Sequence, residues 1–212
     1  MPSMRATSPH DAEAPDWAAI AGELIQARQT VLPKRLVAPG PDAAQQQTIL
    51  AAAAAAPDHR QLLPWRFIAV PPARRGALAE AFAQALLERD PAAAPEQVAQ
   101  AGDKAHRAPW LMLVVVDGLC GDPRVDLHER ILSAGCAVQN VLLMATALGF
   151  GSALTSGQAL GSDSLRRLFA LREGQHALCF ISIGTALSHG GSRVRPAVAD
   201  FFRMLGDDSP DA

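Results

Sequence analysis

Hydrophobic residues recur at helical spacing near the start of the chain. Trp17, Ile20 and Leu24 lie three or four residues apart, which predicts a first helix that leads to Arg28. The segment that follows this helix therefore begins with a cation.

A second helix is predicted between Asp42 and Pro57. Asp42 is followed three residues later by Gln45, which is the spacing of a capping box. The alanine run at 51–56 continues the helix until Pro57 ends it nearby, so His59 is expected in a loop. Because alanine is the strongest helix former, the run favours a tightly packed helix over a low-complexity segment.

Short apolar runs with β-prone residues predict three strands, at 65–70, 110–116 and 177–183. A helix is predicted from about 73 to 89, and Ser162 is a suitable N-cap for a short helix that reaches Phe169. This order indicates an α+β fold with a small central sheet flanked by helices. A doubly wound nucleotide fold is disfavoured because no strand is followed by GxGxxG or GxxxxGK.

The longest apolar stretch, 134–154, predicts a buried helix. Gln139 and Asn140 lie within it and Gly149 interrupts it, which disfavours a membrane span. Polar residues from Asp126 onward supply a first turn, and Gly149 is placed to cap the end. Since the apolar residues cover more than one face, we expect this long central helix to be enclosed by the rest of the fold or by a second copy of the chain.

Composition excludes several classes of function. With 212 residues the chain is expected to form one domain at 16–205, with flexible segments at 1–15 and 206–212. Charged residues make up 19% of the chain and the formal net charge is -2, so binding to nucleic acid or to an anionic membrane is disfavoured.

The three cysteines indicate a reducing compartment. They are too far apart in sequence for a CxxC motif, and Cys136 and Cys179 are expected to be small core residues, with an interface between two copies of the chain as the alternative for Cys136. The first fifteen residues lack the apolar core of a signal peptide, which predicts a cytoplasmic protein. The histidine and cysteine spacing provides no metal site.

Two separated stretches suggest a flavin site. Arg28, Thr30 and Arg35 offer the cations and hydroxyl that a ribityl phosphate needs. A turn that carries His59 and ends at Pro64-Trp65 could frame a flat ring. Each stretch also has a structural interpretation, since cations favour a helix C-terminus and Trp65, like Trp110, is more often a core residue.

The motifs also resemble a known family when they are taken in order. Their sequence along the chain is similar to that of the FMN-dependent nitroreductase family, and in particular its short, YdjA-like members. The resemblance runs from about Trp17 to Phe202. It rests on Arg28-Gln29-Thr30, Ala56-Pro57-Asp58-His59, Pro64-Trp65-Arg66-Phe67, Ser133-Ala134-Gly135-Cys136-Ala137, Gly149-Phe150-Gly151 and Gly184-Thr185.

This resemblance implies a nitroreductase-like fold and an FMN-dependent oxidoreductase. The implied enzyme takes hydride from NADH or NADPH and reduces a small organic acceptor by a ping-pong mechanism. It is a homodimer with the long central helix and the two FMN molecules at the subunit interface. Chemistry takes place at the flavin N5 atom, so no catalytic side chain is predicted.

Cofactor-binding residues are predicted from both ends of the chain. The 28–30 segment matches positions near the phosphate and ribityl chain, His59 matches a flavin contact, and 154–156 matches a flavin-lining stretch. Either Arg193 or Arg195 matches the position that holds the phosphate. The complete predicted set is Arg28, Gln29, Thr30, Arg35, His59, Leu63, Leu154, Thr155, Ser156, Arg193 and Arg195.

Three departures from the family pattern leave alternatives open. Gln29 stands where many members have a second arginine, Leu32-Pro33 lengthens the following loop, and Leu154 replaces an aromatic residue found in some similar proteins. These departures motivate a flavin-fold protein that binds a ligand without turnover. Dehalogenating and flavin-degrading relatives provide a further alternative with the same fold.

Overall fold

An antiparallel sheet forms the centre of the fold. This computed structural model describes residues 15–188 and 194–205. Its strands are β1 (Leu36–Val37), β2 (Trp65–Ala69), β3 (Trp110–Asp117), β4 (Gly151–Thr155) and β5 (Gln175–Ala186). The strands of the described residues pair in the order β1-β5-β3-β2, and β4 also pairs with β5. All named pairings are antiparallel.

Helices cover both faces of this sheet. Side chains alternate along β3, so that Met112 and Val114 contribute to one hydrophobic cluster and Leu111 and Leu113 to another. The α-helices are α1 (Trp17–Ala27), α2 (Ala43–Ala53), α3 (Arg75–Arg89), α4 (Pro95–Asp103), α5 (Leu127–Ala147) and α6 (Asp163–Leu168). The first cluster contains α2 and α5 residues, and the second contains α3 and α6 residues.

Helix boundaries follow the capping signals in the sequence. The backbone N–H of Gln45 donates to the Asp42 carboxylate at 2.9 Å, and the Gln45 side chain accepts from the Asp42 N–H at 2.9 Å, which confirms the capping box. Asp126 caps α5 by accepting from the Glu129 N–H at 2.9 Å. Beyond α5, Gly149 adopts φ 82°, a left-handed conformation that ends the helix.

Two strands and one helix were not predicted from the sequence. β4 occupies the last part of the apolar stretch, because the chain reverses at Gly149 and pairs its next residues with β5. β1 has only two residues, which is too short for a periodic pattern. α4 begins at Pro95 and has only nine residues, of which Val98 is the one branched aliphatic residue, so no apolar spacing longer than two turns marks it in the sequence.

The helix α1 buries none of its residues. Trp17 is 70% exposed, and Ile20 and Ile25 are also exposed. α5 packs on the sheet through buried residues such as Ala137 and Val141. Its opposite side is open in the single chain, however, with Leu132 at 71% exposure.

The open side of α5 corrects one prediction about the cysteines. Cys179 is buried as expected, but Cys136 is exposed, so its assignment to the core was wrong. Cys136 lies on the side of α5 that does not face the sheet. By length and composition alone α5 could cross a membrane, but core helices of soluble proteins satisfy the same test.

Candidate functional site

The C-terminal end of α1 brings two of the predicted cations together. Arg28 is the C-cap residue, and its N–H donates to the Leu24 carbonyl at 3.1 Å. The Arg195 guanidinium donates to the carbonyl oxygens of Arg28 at 3.2 Å and Gln26 at 3.4 Å. A cation at a helix C-terminus is favourable because the last carbonyls carry partial negative charge. Among the described residues, no carboxylate pairs with either guanidinium.

A short contact fixes the following segment against β4. Thr30 forms an isolated parallel bridge with Ser152, and the Val31 N–H donates to the Ser152 carbonyl at 2.9 Å. Gln29 is half-buried and the Thr30 side chain is exposed. The predicted 28–30 segment therefore lies at the edge of the sheet.

β4 ends beside this segment. Leu154 is 45% exposed, Thr155 is half-buried and Ser156 is exposed. On one side β4 pairs with β5, and on its other side only Ser152 engages a neighbouring segment of the described chain. The outer edge of β4 beyond Ser152 thus presents backbone hydrogen-bonding groups without a strand partner.

A cavity of about 910 Å³ opens next to the end of β4. Thr155 and Ser156 line it on one side, and Leu32 and Pro33, which follow the 28–30 segment, also contribute. Part of its wall is apolar and includes Phe82, Leu86, Leu111 and Phe180. Such a cavity, with an apolar wall and a few polar groups, suits a flat organic ligand.

Three cations that were not predicted also line this cavity. They are Arg89 at the end of α3, Lys104 just after α4 and Arg107 just before β3. Asp103 is the acidic residue among the lining residues, so the wall has a formal excess of two positive charges. The basic sequence Lys104 to Arg107 directly before a buried strand was the available signal for two of them.

Arg75 holds the backbone that carries Arg107. Its buried guanidinium donates to the carbonyl oxygens of Val70 at 3.0 Å, Ala105 at 2.7 Å, Arg107 at 3.3 Å and Pro109 at 3.3 Å. Burial lowers the pKa of Arg75. Because four carbonyls share one cation, removing it would leave several buried acceptors unpaired.

His59 and Leu63 lie in a loop near the start of α5. The His59 imidazole contacts the Glu129 carboxylate, and the Leu63 N–H donates to the Asp58 carboxylate at 2.7 Å. Arg60, Gln61 and Leu63 all have positive φ, between 48° and 56°. Non-glycine residues in this region store about 1–3 kcal/mol of strain each and cluster at functional sites.

An acidic side chain ties this loop to the segment before α5. Asp122 contacts Arg60 and accepts two hydrogen bonds from the Arg124 guanidinium, at 3.1 and 2.8 Å. The hydrogen bonds from Arg124 lower the pKa of Asp122 to about 2, and the positive charge of Arg60 adds to this effect.

The His59 loop and the 28–30 segment are distant within one chain. His59 contacts Glu129 in the first turn of α5, whereas β4 begins after the last turn, where the Phe150 N–H donates to the Ala145 carbonyl at 2.9 Å. From Glu129 to Ala145, α5 rises by about 24 Å. One ligand molecule therefore cannot contact both predicted groups of the same subunit.

Arg35 and Arg193 are the remaining residues of the predicted set. Arg35 lies in a 3-10 turn, with an exposed side chain and a backbone carbonyl that accepts from the Leu187 N–H at 3.1 Å. Arg193 lies outside the described residues. Within 15–188 and 194–205, no group of His, Cys, Asp and Glu residues is arranged to hold a metal ion.

The donor set at the end of β4 fits FMN. Arg28 and Arg195 offer guanidinium groups for a phosphate, and Gln29 and Thr30 offer side chains for a polyol chain. The Ser152 hydroxyl oxygen is buried without a hydrogen-bond partner in the described part of the chain, so this hydroxyl group can still donate and accept hydrogen bonds there.

Sequence comparison finds related proteins over most of the chain. A family model described as "Nitroreductase family" matches residues 25–185. A Haemophilus influenzae protein, provisionally named an NAD(P)H nitroreductase, is 35% identical over 154 residues, covering 73% of this chain and 83% of that protein. The similarly named YdjA of Escherichia coli K12 is 36% identical over 154 residues, covering 71% and 81%.

Solved structures share the fold at lower sequence identity. A nitroreductase-like protein from Bacillus cereus aligns with a TM-score of 0.73 at 19% identity and covers 87% of this chain and 95% of its own. NfnB from Mycobacterium smegmatis, an FMN-dependent nitroreductase in complex with NADPH, aligns with a TM-score of 0.68 at 19% identity, covering 90% and 100%. The α+β nitroreductase-like fold predicted from the sequence is therefore confirmed.

Proposed function

This chain belongs to the nitroreductase family, and from that premise we propose that it is an FMN-dependent oxidoreductase. It oxidises NADH or NADPH by two electrons and delivers them to a small organic acceptor, such as a nitroaromatic compound or a quinone. FMN, when bound, supplies the hydride chemistry and allows a ping-pong cycle. The role of the protein is to bind and align the reactants and to exclude competing reactions.

The observation that carries this proposal is the contact of the Arg195 guanidinium with the Arg28 carbonyl, in the segment that bridges to Ser152 and continues to the cavity at Leu32 and Pro33. The two guanidinium groups would hold the FMN phosphate, and Arg35 and Arg193 are further candidates for that role. Each charge-assisted hydrogen bond to the phosphate is worth roughly 1.5–3 kcal/mol. Gln29 and Thr30 would contact the ribityl chain.

The cavity would take the ring system. Leu154, Thr155 and Ser156 would line one side of the flavin, which matches their accessible positions at the end of β4. Lys104 and Arg107 would place positive charge near the ring. A cation near the N1 and C2 carbonyl edge stabilises the anionic reduced form and raises the reduction potential.

The site is completed by a second subunit in this proposal. α1, the open side of α5 and the C-terminal segment expose large apolar side chains, among them Trp17, Leu132, Phe201 and Phe202. Apolar surface of this extent is expected to be covered by a partner, here in a homodimer. His59 and Leu63, which are too far from Arg28 in the same chain, would reach the flavin bound to the other subunit.

The remaining expectations follow from the same proposal. α5 is interpreted as a core and interface helix of a cytoplasmic protein, with no role in a membrane or in nucleic-acid binding. Gln29 and the exposed Leu154 favour one alternative, a protein of this fold that binds flavin without turnover. Dehalogenating or flavin-degrading chemistry at the same site is a third candidate.

Anaerobic stopped-flow kinetics test the proposal and separate the alternatives. The protein is expressed with ample flavin, purified, and mixed with NADH or NADPH while the visible flavin absorbance is recorded. We expect bound flavin to be bleached by at least one nucleotide and reoxidised by a nitroaromatic compound or quinone. Bound flavin that neither nucleotide bleaches would favour binding without turnover, and a colourless dimer would refute the flavin assignment.

A further inference from the structure

The cavity beside β4 extends well beyond the predicted flavin-binding residues. Phe82 and Lys104 line its inner end, close to the sheet. On α3, Arg89 lies seven residues after Phe82. On α4, Gln97 lies seven residues before Lys104. The close approach of Gly102 to the Ala79 carbonyl shows that the end of α4 packs against the second turn of α3. The two helices therefore form an antiparallel hairpin, and its connection places Arg89 and Gln97 about 10 Å along the helices from Phe82 and Lys104.

Arg89 is available to a ligand at this outer end. No carboxylate of the described residues pairs with its guanidinium, although acidic residues flank it on both sides in sequence. Glu88 accepts from the N–H groups of Asp163 and Ser164 at 3.0 Å each, and it also contacts Arg167 at 3.5 Å.

Among the described residues, the other acidic groups around the cavity do not pair with the Arg89 guanidinium. Asp90 accepts from the Ala92 N–H at 3.2 Å, and Asp103 lies at the other end of α4 from Gln97. The outer end thus combines a free guanidinium with the side-chain amides of Gln97 and Gln100, next to the apolar side chain of Leu86.

We propose that this outer end, formed by Arg89, Gln97 and Gln100, binds an anionic group of an aromatic substrate. The inference rests on the proposed function, because the substrate must reach bound flavin from the same cavity. A planar guanidinium binds carboxylate and phosphate groups with forked hydrogen bonds, and amide N–H groups can complete the contact. The anion is either a carboxylate on the electron acceptor or the additional phosphate that distinguishes NADPH from NADH.

Two electron acceptors that differ in charge but hardly in shape test the proposed contact with Arg89. 4-Nitrobenzoate and 4-nitrobenzamide have nearly the same shape and the same reducible group, but only the former is anionic at neutral pH. The measured quantity is the ratio of kcat/KM for the two acceptors, which cancels differences in the amount of active flavoprotein. We expect Arg89→Gln to lower this ratio by about three- to tenfold, Arg89→Glu to lower it further and Arg89→Lys to retain most of it.

Arg74, the N-cap residue of α3, provides a matched control. It is exposed, lies outside the cavity and is about 22 Å from Arg89 by helical rise. We expect Arg74→Gln to leave the acceptor ratio unchanged. Added salt should lower the ratio for the unmodified protein and for Arg74→Gln, but much less for Arg89→Gln.

A second arm distinguishes the two sources of the anion. The dissociation constants of NADPH and NADH are measured in the reductive half-reaction, since NADPH carries one additional phosphate. Loss of NADPH preference in Arg89→Gln, with the acceptor ratio unchanged, would assign the anion to the nucleotide. If Arg89→Gln retains flavin and neither ratio changes, the inference is overturned while the proposed function stands. If the unmodified protein binds no flavin, the proposed function fails and the inference fails with it.

Discussion

The Arg195 guanidinium lies 3.2 Å from the carbonyl oxygen of Arg28, a residue 167 positions earlier in the chain. This contact joins the C-terminal segment to the end of α1. In the proposed site, it would let cations from opposite ends of the sequence bind one phosphate, and it also gives Arg195 a structural role as a helix cap.

Replacing Arg28 by alanine should weaken FMN binding by about 10- to 100-fold, because one charge-assisted contact to the phosphate is lost. Equilibrium titration of the apoprotein with FMN, followed by flavin fluorescence, measures the change. Riboflavin, which lacks the phosphate, is the matched ligand control and should bind both proteins similarly. An unchanged dissociation constant for FMN would show that Arg28 does not contact the phosphate.

Mixed dimers test whether the site is shared. In a heterodimer of one Arg28→Ala subunit and one His59→Ala subunit, a shared arrangement leaves one site with both substitutions and one site with neither. We expect such heterodimers, isolated with two different tags, to bind about one FMN tightly, unlike either parent homodimer.

The control heterodimer combines Arg28→Ala with Arg195→Ala. These two residues meet in the same chain, so each site of the heterodimer lacks one of them and tight binding should not return. Equal FMN binding by the two kinds of heterodimer would contradict a site that takes His59 from the partner subunit.

Lys104→Gln should lower the reduction potential of bound flavin. Loss of one positive charge near the ring destabilises the reduced anion, and a change of about 1 kcal/mol corresponds to roughly 20 mV for two electrons. Potentials are measured by equilibration with a reference dye during anaerobic reduction. Arg74→Gln, outside the cavity, should not shift the potential, and a comparable shift there would argue against a local effect of Lys104.

Cysteine labelling should report both the core and the interface. Burial raises the pKa of the Cys179 thiol to about 12, so at pH 8 almost none of it is the reactive thiolate. Cys136 is exposed in the single chain but lies on the open side of α5, and it should react slowly in the dimer and faster on dilution to monomers. Iodoacetamide labelling, quantified by mass spectrometry of the peptides, gives both rates.

The outcome for each cysteine has a separate meaning. Rapid labelling of Cys179 in the folded protein would contradict its buried position in β5. Labelling of Cys136 at the same rate in dimer and monomer would place the interface elsewhere than the open side of α5.

The Asp122 interactions predict how stability changes in acid. The pKa of Asp122 is about 2 in the folded protein, below its ordinary value of 3.8, so its ionised form favours folding. This contribution is complete above the unfolded-state value and is lost as the pH falls from about 4 towards 2. The difference in unfolding free energy between the unmodified protein and Asp122→Asn should therefore shrink over that interval, as measured by urea denaturation. A difference that stays constant from pH 7 to pH 2.5 would contradict this assignment.

The sequence predicted the elements whose signals are local. The Asp42 cap, the Asp126 cap and the glycine turn at Gly149 all follow from residues within a few positions of one another. Trp65 and Trp110 are buried as expected for tryptophans that begin short, mostly apolar strands.

Features that depend on distant residues were not predictable in this way. Arg75 binds the carbonyls of Ala105 and Arg107 from about 30 residues away and so holds the backbone between Lys104 and Arg107, and no periodic pattern in the sequence encodes that contact. Cys136 was assigned to the core because its neighbours are apolar. An apolar surface that awaits a second subunit has the same sequence signature as a core.

In the proposed dimer, the exposure of α1 links assembly to cofactor binding. An isolated helix of eleven residues is marginal in water, and no residue of α1 is fully buried within its own chain. Thr30 and Val31 are held against Ser152 within the chain, but α1 and its C-cap residue Arg28 should become fully ordered only when two chains meet. Cofactor loading would then be second order in newly made polypeptide, and dilute nascent chains would remain free of flavin until they dimerise.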